Sequence, residues 1–551
     1  MTSSQPVYFH CTSIKSRRRW GRQSCLTPLS SCNLNLGPKI KKQKAGHLFQ
    51  DAVCIGVQRV RKRLSGKNTK TTGSTKRSAN GAGQAWQAGD AWPGKLTGAF
   101  EGYRKAVPQA VVEQMLQGQS AFSQDPRLSA WVVMWLMIFQ RLDPKGTLAV
   151  AVREMLVGPT RAFLGETDGE DEKELSANSS AYSQARSKLP LEVAEKVSDL
   201  IFESAWAEPK TLAGLDKPLF LLDGSAILLQ HTPDLLANYP PQRNQHGVSH
   251  WPVMRALVAH DVVTGLAMRP SWGPVNGEGA LSEQALAKDM LSRLPAGCVA
   301  MGDRNFGVFS MAYYSKQHDH PCLLRLTEAR ATKVNGGCKP SAGTDRAVRW
   351  LPTRHDRTGN PELPDQASAE GRLVVCQVTD ANGKRQKLYF FTTLDLTPDK
   401  LLEVYGYRWN IETDLRSLKR EVRLHMIEAR SKAMVDKELV LAVAAYNLTR
   451  ATMNQAASAL NLDPRRFSFS LAQDTLNAFL PAFANATTDQ ERQQLTQRML
   501  RIFKQSQLPD RSNRPSTPRE IWPRPCPYPK RKVSPKRGTA EKFKVIKKGG
   551  A

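Results

Sequence analysis

Three acidic side chains in this sequence stand where an ionised group is either costly or surrounded by cations. Asp223 interrupts the apolar run PLFLLDGSAILLQ, Asp303 follows the short apolar run in CVAMGDRNFG, and Glu412 lies in YGYRWNIETDLRSLK (405–419). A lone carboxylate in a buried strand costs several kcal/mol unless it is paired, protonated or bound to a metal. Two carboxylates at strand ends and a third on a later helix form a donor set that suits hard divalent cations such as Mg²⁺ or Mn²⁺. Such ions take a few protein oxygens and complete their shell with water and substrate phosphate. Two of them can activate the attacking oxygen and stabilise the leaving one in an in-line phosphoryl displacement.

The surroundings of Glu412 sharpen this. On a helix turning about 100° per residue from Tyr405, Arg408 falls near 300°, Lys419 near 320° and Glu412 near 340°. The four share one narrow arc, whereas Asp414, near 180°, points away. A solvated helix laced with ion pairs is the competing reading, because Arg408–Glu412 and Glu412–Arg416 both have i,i+4 spacing. Asp261, in HDVVTG, needs no chemistry: it sits in an evident hairpin turn.

The elements that would position these residues are legible in outline. Segments between 95 and 210, among them VPQAVVEQMLQ, AWVVMWLMIF, LAVAVREMLVG and LEVAEKVSDLIFESAW, carry apolar residues at three- and four-residue steps and predict helices. The acidic stretch GETDGEDEKE (165–174) interrupts them, before SSAYSQARSKLP. From 218 the texture changes to a strand over PLFLLDGSAILLQ. Two further strands in 253–273 are joined by a turn at Asp261–Gly265. An amphipathic helix at 280–294 is ended by Pro295 and Gly297, followed by a strand at CVAM, a helix at FSMAYYSKQH and a strand at PCLLRLTE. This order predicts an α/β domain with helices covering a mixed sheet. Residues 329–396 break the rhythm: a polar, turn-rich stretch precedes two strand-like runs, RLVVCQVTD and KLYFFTTLD, with an Asn-Gly hairpin signal between them. A long helical segment, allowing for breaks, then runs from PDKLLEVYGYRW through ELVLAVAAYNLTRATM.

Composition narrows the class of partner. The chain has 551 residues, 40% of them hydrophobic, with a formal net charge of +29. Residues 1–90 hold 17 Lys/Arg against 2 Asp, and residues 501–551 hold 15 against 3 acids, leaving only +2 for 91–500. A near-neutral body with two strongly basic ends fits a phosphate-rich partner such as DNA or RNA. The first 94 residues read as a disordered basic extension. No run reaches the ~20 apolar residues needed to span a bilayer, and the start lacks the order of a secretory signal. The expected location is the cytoplasm, with no membrane partner. Nine cysteines show no CxxC pair, so free thiols are expected; the grouping of Cys11, Cys25 and Cys32 with His10 is read as incidental.

Residues 405–419 fit the signature Y-(2)-R-(3)-E-(6)-K through Tyr405, Arg408, Glu412 and Lys419. In this the chain resembles the DDE transposases of bacterial insertion sequences, in the insertion-sequence-four branch. LLDGS resembles the segment of the first catalytic Asp, GDRNFG that of the second, and YSQARSKL a short motif upstream; the similarity covers roughly 100–530. The resemblance implies an RNase H-like mixed-sheet catalytic core (211–328 and 397–500) with a β-rich insertion at 329–396, preceded by a helical DNA-binding domain at 95–210. It implies Asp223, Asp303 and Glu412 as catalytic metal ligands for Mg²⁺ or Mn²⁺. Tyr405, Arg408, Lys419 and Arg304 would contact DNA phosphates.

In relatives, hydrolysis at the transposon end frees a 3′-OH, which attacks the opposite strand to give a hairpin that is reopened before strand transfer. They also stack a flipped base on an aromatic residue of the insertion, for which Trp350 in AVRWLP is the candidate. The partners so implied are double-stranded DNA, as terminal inverted repeats and target, and a second copy of the chain in the DNA complex, at the bacterial nucleoid. The basic tail at 501–551 would track a phosphate backbone. Two alternatives remain open on sequence: a nuclease of the same fold that cuts without joining, and an inactive, transposase-derived DNA-binding protein.

Overall fold

The computed structural model describes residues 98–117, 126–160, 177–244, 247–379, 385–425 and 427–509. The expectations for residues 1–94, the tail beyond residue 509, the acidic stretch at 165–174 and the cysteines before residue 97 lie outside the described residues, whereas the tail expected from residue 501 is helical as far as Gln505, with Phe503 buried. Among the described residues the first helices are α1 (Ala99–Ala106), α2 (Gln109–Met115), α3 (Ala130–Leu142), α4 (Leu148–Val157), α5 (Ser180–Lys188) and α6 (Leu191–Ala205). The apolar α3 starts where Ser129 accepts the Val132 N–H, a capping arrangement that satisfies an orphan donor of the first turn. Its residues are nearly all buried, as expected of a core helix.

Next come β1 (Leu219–Leu228), α7 (Pro233–Asn238), β2 (Val253–Asp261), β3 (Ser271–Pro274), α8 (Glu283–Arg293), β4 (Val299–Gly302), α9 (Phe309–Gln317), β5 (Cys322–Leu326) and α10 (Glu328–Val334). A small hairpin, Arg243–Asn244 with Gly247–Val248, lies between α7 and β2. Then follow β6 (Asp345–Trp350), α11 (Arg354–Gly359), β7 (Ala369–Thr379), β8 (Arg385–Thr392), α12 (Pro398–Gly406), α13 (Trp409–Arg420), α14 (Lys432–Leu460), α15 (Phe469–Asn485) and α16 (Asp489–Gln505).

The eight strands form one sheet in the order β3-β2-β1-β4-β5-β8-β7-β6. Strands β1, β4 and β5 run parallel, while β2 and β3 add antiparallel on one side. That five-stranded part is the RNase H-like core. Strands β8, β7 and β6 continue the sheet antiparallel from β5. The strands within 329–396 thus lengthen the core sheet, because β8 finds the free edge of β5 and satisfies its unpaired backbone groups.

Both faces are covered. Phe220, Leu222, Leu257 and Ala259 pack with α8 and α9. Ile227, Ala256 and Val258 pack on the other face with α14 and the N-terminal helices. The segment YSQARSKL has a structural task at this second face. Tyr182 donates from its hydroxyl to Gln140 Oε1 at 2.6 Å, and Arg186 pairs with Glu438 of α14. Arg141 bonds the other oxygen of Glu438 at 2.5 Å.

The long helix expected after Pro398 is broken twice. Between α12 and α13 the backbone of Tyr407 and Arg408 stays in the right-handed helical region, so the angular phase of the wheel is largely kept. The second break, before α14, contains Arg423 at φ 58°, a left-handed conformation that a continuing helix cannot hold.

Candidate active site

Strand register brings the two aspartates together. Leu222 of β1 lies beside Gly302 of β4 in the parallel ladder, so one step further along both chains are Asp223 and Asp303. Asp223 is paired with Val258 across β2 and therefore shares the face that looks toward α13 and α14. Its Oδ1 accepts the Gly224 N–H at 2.8 Å. Burial first, then the charges of Asp303 and Glu283, push its carboxyl up to about 7, against the opposing pull of the Gly224 N–H and Arg408. An acid so placed lacks a full positive counterpart.

Asp303 stands just past the end of β4, where Asn305 N donates to its Oδ1 at 2.7 Å. The glycines of GDRNFG permit this sharp exit. A Cβ on Gly302 would come within 2.5 Å of Phe306, and one on Gly307 within 2.1 Å of the Arg325 carbonyl. Phe306 is buried, which anchors the loop into the core.

Glu412, in the first turn of α13, bonds Arg408 Nη2 at 3.3 Å. The i,i+4 pair read from sequence therefore exists, but it has company. The charges of Tyr405, Glu412, Asp303 and Asp223 together hold the Arg408 guanidinium above its usual range despite burial. One arginine thus lies in the field of all three carboxylates. Asp414, two residues on, faces the opposite way into the core, bonded by Arg450 at 2.6 Å and Arg465 at 2.5 Å.

The residues expected to contact DNA phosphates divide, and the burial of Tyr405 overturns that expectation for its side chain. Tyr405 is buried, its ring 4.9 Å from Phe390, and its hydroxyl accepts from Arg325 Nη1 at 3.5 Å. Arg304 is exposed beside Asp303, and its carbonyl accepts from Arg330 Nη1 at 2.8 Å. Lys419 is half-buried, two turns beyond Glu412 on α13 and about 10 Å along the axis.

Trp350 must be corrected. It is 7% exposed and packed edge-on against Phe309 and Phe391, so it is a core side chain and no platform for a base. The alternation of β6 explains this: Arg349 faces solvent and Trp350 faces the sheet's core. Asp261 is the turn residue expected. Its Oδ1 accepts from the Thr264 N–H at 2.6 Å and hydroxyl at 2.7 Å, and its Oδ2 from Trp206 at 3.3 Å.

Two residues at the site escaped the sequence reading. Arg325 sits in β5 one step past Leu324, which lies beside Gly302, so it flanks Asp303. The lone Arg in PCLLRLTE was the same kind of signal as the lone Asp in FLLDG. Glu283, the first residue of α8, bonds Asn305 Nδ2 and feels the charge of Asp303; its sequence, LSEQALAKD, reads as an ordinary helix start.

The donor set suits a divalent cation: all its charged donors are carboxylate oxygens, and burial leaves Asp223 in want of positive charge. Among the described residues, however, no three His, Cys, Asp or Glu stand together at metal-holding separation. The carboxylates are neighbours around Arg408 without converging on a single point.

Residues 214–448, which contain all three carboxylates, match the family model of the transposase DDE domain. Over 437 residues the chain is 21% identical to the transposase InsG for insertion sequence element IS4 of Escherichia coli (strain K12), covering 77% of this chain and 91% of that protein. The chain thus carries a transposase DDE domain and is similar to an IS4 transposase. Within this domain Asp223 lies in β1 and Asp303 just past the end of the adjacent parallel strand β4, and α13 carries Glu412 across from them. No helix among the described residues is long and apolar enough to cross a membrane.

Proposed function

We propose that this transposase performs cut-and-paste transposition, cleaving DNA at the ends of an insertion sequence and joining the freed end to target DNA, with Asp223, Asp303 and Glu412 as its catalytic carboxylates. The observation that carries the assignment is their meeting around Arg408 from three separate elements. A divalent cation, Mg²⁺ or Mn²⁺, supplies Lewis acidity at the scissile phosphate and at the attacking oxygen when bound. Asp223, Asp303 and Glu412 would hold it, and it would supply positive charge beside the buried Asp223 carboxyl.

The remaining residues act on the DNA. Arg408, which lies beside all three carboxylates, would offer its guanidinium to a phosphate oxygen beside the cut. Arg304 and Lys419 grip the backbone on either side of it. Tyr405, held by Arg325 and Phe390, fixes where α12 ends and hence where Arg408 begins. The helical region 95–210 contributes to recognition of the terminal inverted repeats, two copies act together on paired ends, and the protein works at the bacterial nucleoid.

The test uses two DNA substrates carrying the repeats that flank the gene. Cleavage of intact ends together with joining of pre-cleaved ends is the expected result. Cleavage without joining would make this a nuclease, and binding without either would make it an inactive descendant.

A further inference from the structure

The three carboxylates are held in different ways, and one of them requires a support that no motif explains. Asp223 lies within β1, locked by ladders on both sides. Glu412 rides on a helix. Asp303 lies beyond the last paired residue of β4, in a loop whose own backbone must be held still if its carboxylate is to point at a fixed place. The bond that orients Asp303 comes from the backbone N–H of Asn305, at 2.7 Å. Asn305 is itself exposed, so its position depends on what grips it.

The grip comes from the first turn of α8, on the opposite face of the sheet from Asp223. Glu283 accepts from Asn305 Nδ2. Gln284 Nε2 donates to the Asn305 carbonyl at 2.8 Å and to its Oδ1 at 2.9 Å. The path of Glu283 also accounts for the glycine of LLDGS. Gly224 is paired with Leu257, on the α8 face, and a Cβ there would stand 2.8 Å from the Glu283 carboxyl. Glu283 therefore lies directly across the bare backbone that follows Asp223 and reaches the loop that carries Asp303.

We propose that Glu283 is a positioning residue for Asp303, acting through Asn305 as a strut that crosses the sheet at Gly224. This rests on the reading of Asp303 as a metal ligand. Partners that orient a ligating carboxylate typically contribute about 10–100-fold in metal affinity, with a smaller effect once the metal is saturating. The strut needs Glu283 only as a hydrogen-bond acceptor, which a glutamine oxygen can replace; direct ligation of a metal by Glu283 would need the negative charge.

The experiment uses the full chain as wild type, Asp303→Ala, Asn305→Ala, Glu283→Ala and Glu283→Gln. Mn²⁺ binding is measured by titration calorimetry, and the Mn²⁺ dependence of cleavage is measured on DNA carrying the terminal repeats. Asn305→Ala, which keeps the backbone N–H but loses the grip, and Glu283→Ala should each weaken Mn²⁺ binding about 10–100-fold. Both should shift the Mn²⁺ concentration needed for cleavage further than they lower the rate at saturation, and Glu283→Gln should restore most of the affinity.

Wild-type affinity in Asn305→Ala would overturn the strut even if Glu283→Ala failed to fold. So would a Glu283→Gln variant as weak as Glu283→Ala, because the charge itself would then be what matters. If Asp303→Ala bound Mn²⁺ as the wild type does, the ligand reading would fail instead, a result separate from failure of the strut.

Discussion

Two carboxylates two residues apart on α13 have opposite surroundings. Asp414 is fully buried and meets two guanidinium groups, Arg450 and Arg465, which hold its carboxyl below the usual range despite the cost of burial. Glu412 is bonded by Arg408, which also feels the charges of Asp223 and Asp303. The first cluster has cations in excess and ties α13 to α14 and to the 464–466 turn. The second sets three carboxylates in the field of that buried guanidinium, and burial pushes one of them, Asp223, up to about 7. A protein that keeps a buried charge for stability supplies its partner; one that keeps it for catalysis leaves part of the partnership open.

The largest expected effect is on the open side. Asp223→Ala and Asp303→Ala should each remove metal-dependent cleavage of terminal-repeat DNA to below the detection limit, while binding of that DNA in a gel-shift assay stays near wild type. Retained cleavage in a folded variant of either would remove that residue from the site.

Next is the closed side. Asp414→Ala leaves two buried guanidinium groups without their carboxylate and should destabilise the fold by about 3–5 kcal/mol, read as a lowered urea midpoint. A loss below about 1 kcal/mol would mean that the cluster is not the tie described here.

The two sides should also respond to pH with opposite sign. Asp223, raised to about 7 by burial and by Asp303 and Glu283, is favoured in its protonated form by the fold. Metal-free protein should therefore lose stability as pH rises from about 4 through 7, and Asp223→Asn should be stabilising at pH 8 by about 1–3 kcal/mol. Asp414 is depressed, so its contribution is present at neutral pH and is lost only as pH falls below the ordinary carboxylate range. His260, pushed down to about 4 by burial, adds to that acid-side loss between about 6.5 and 4. Denaturant unfolding across pH 4–8 separates the two slopes; equal slopes for Asp223→Asn and wild type would break the contrast.

The smallest effect belongs to Arg416, which is exposed on the same helix. Arg416→Ala should change stability by less than about 0.5 kcal/mol and leave cleavage within a few-fold of wild type.

The open side was legible in the sequence because a charge inside an apolar run is a local signal: Asp223 in FLLDG and Asp303 after VAM each stood out alone. The wheel that separated Glu412 from Asp414 survived a break in the helix only because Tyr407 and Arg408 keep helical dihedrals. What could not be read was set by distant pairing. Arg450 and Arg465 lie 36 and 51 residues from Asp414, and nothing local in either segment names its partner. The attachment of β8 to the edge of β5 was hidden for the same reason, since strand runs do not reveal which edge they will join. Trp350 was misassigned because edge-strand alternation, rather than residue type, decides which way an aromatic ring faces. Glu283 looked like any acid in the first turn of a helix, and only the missing side chain of Gly224 shows that it passes there.

The central claim is that Glu412 serves the chemistry while Asp414 serves the fold. The most direct measurement compares Glu412→Gln with Asp414→Asn, each scored for thermal midpoint and for Mg²⁺-dependent cleavage per folded molecule. Glu412→Gln should melt within a few degrees of wild type and fail to cleave, and Asp414→Asn should melt well below wild type yet cleave while folded. A folded Glu412→Gln protein that cuts the terminal DNA at the wild-type rate would contradict the account.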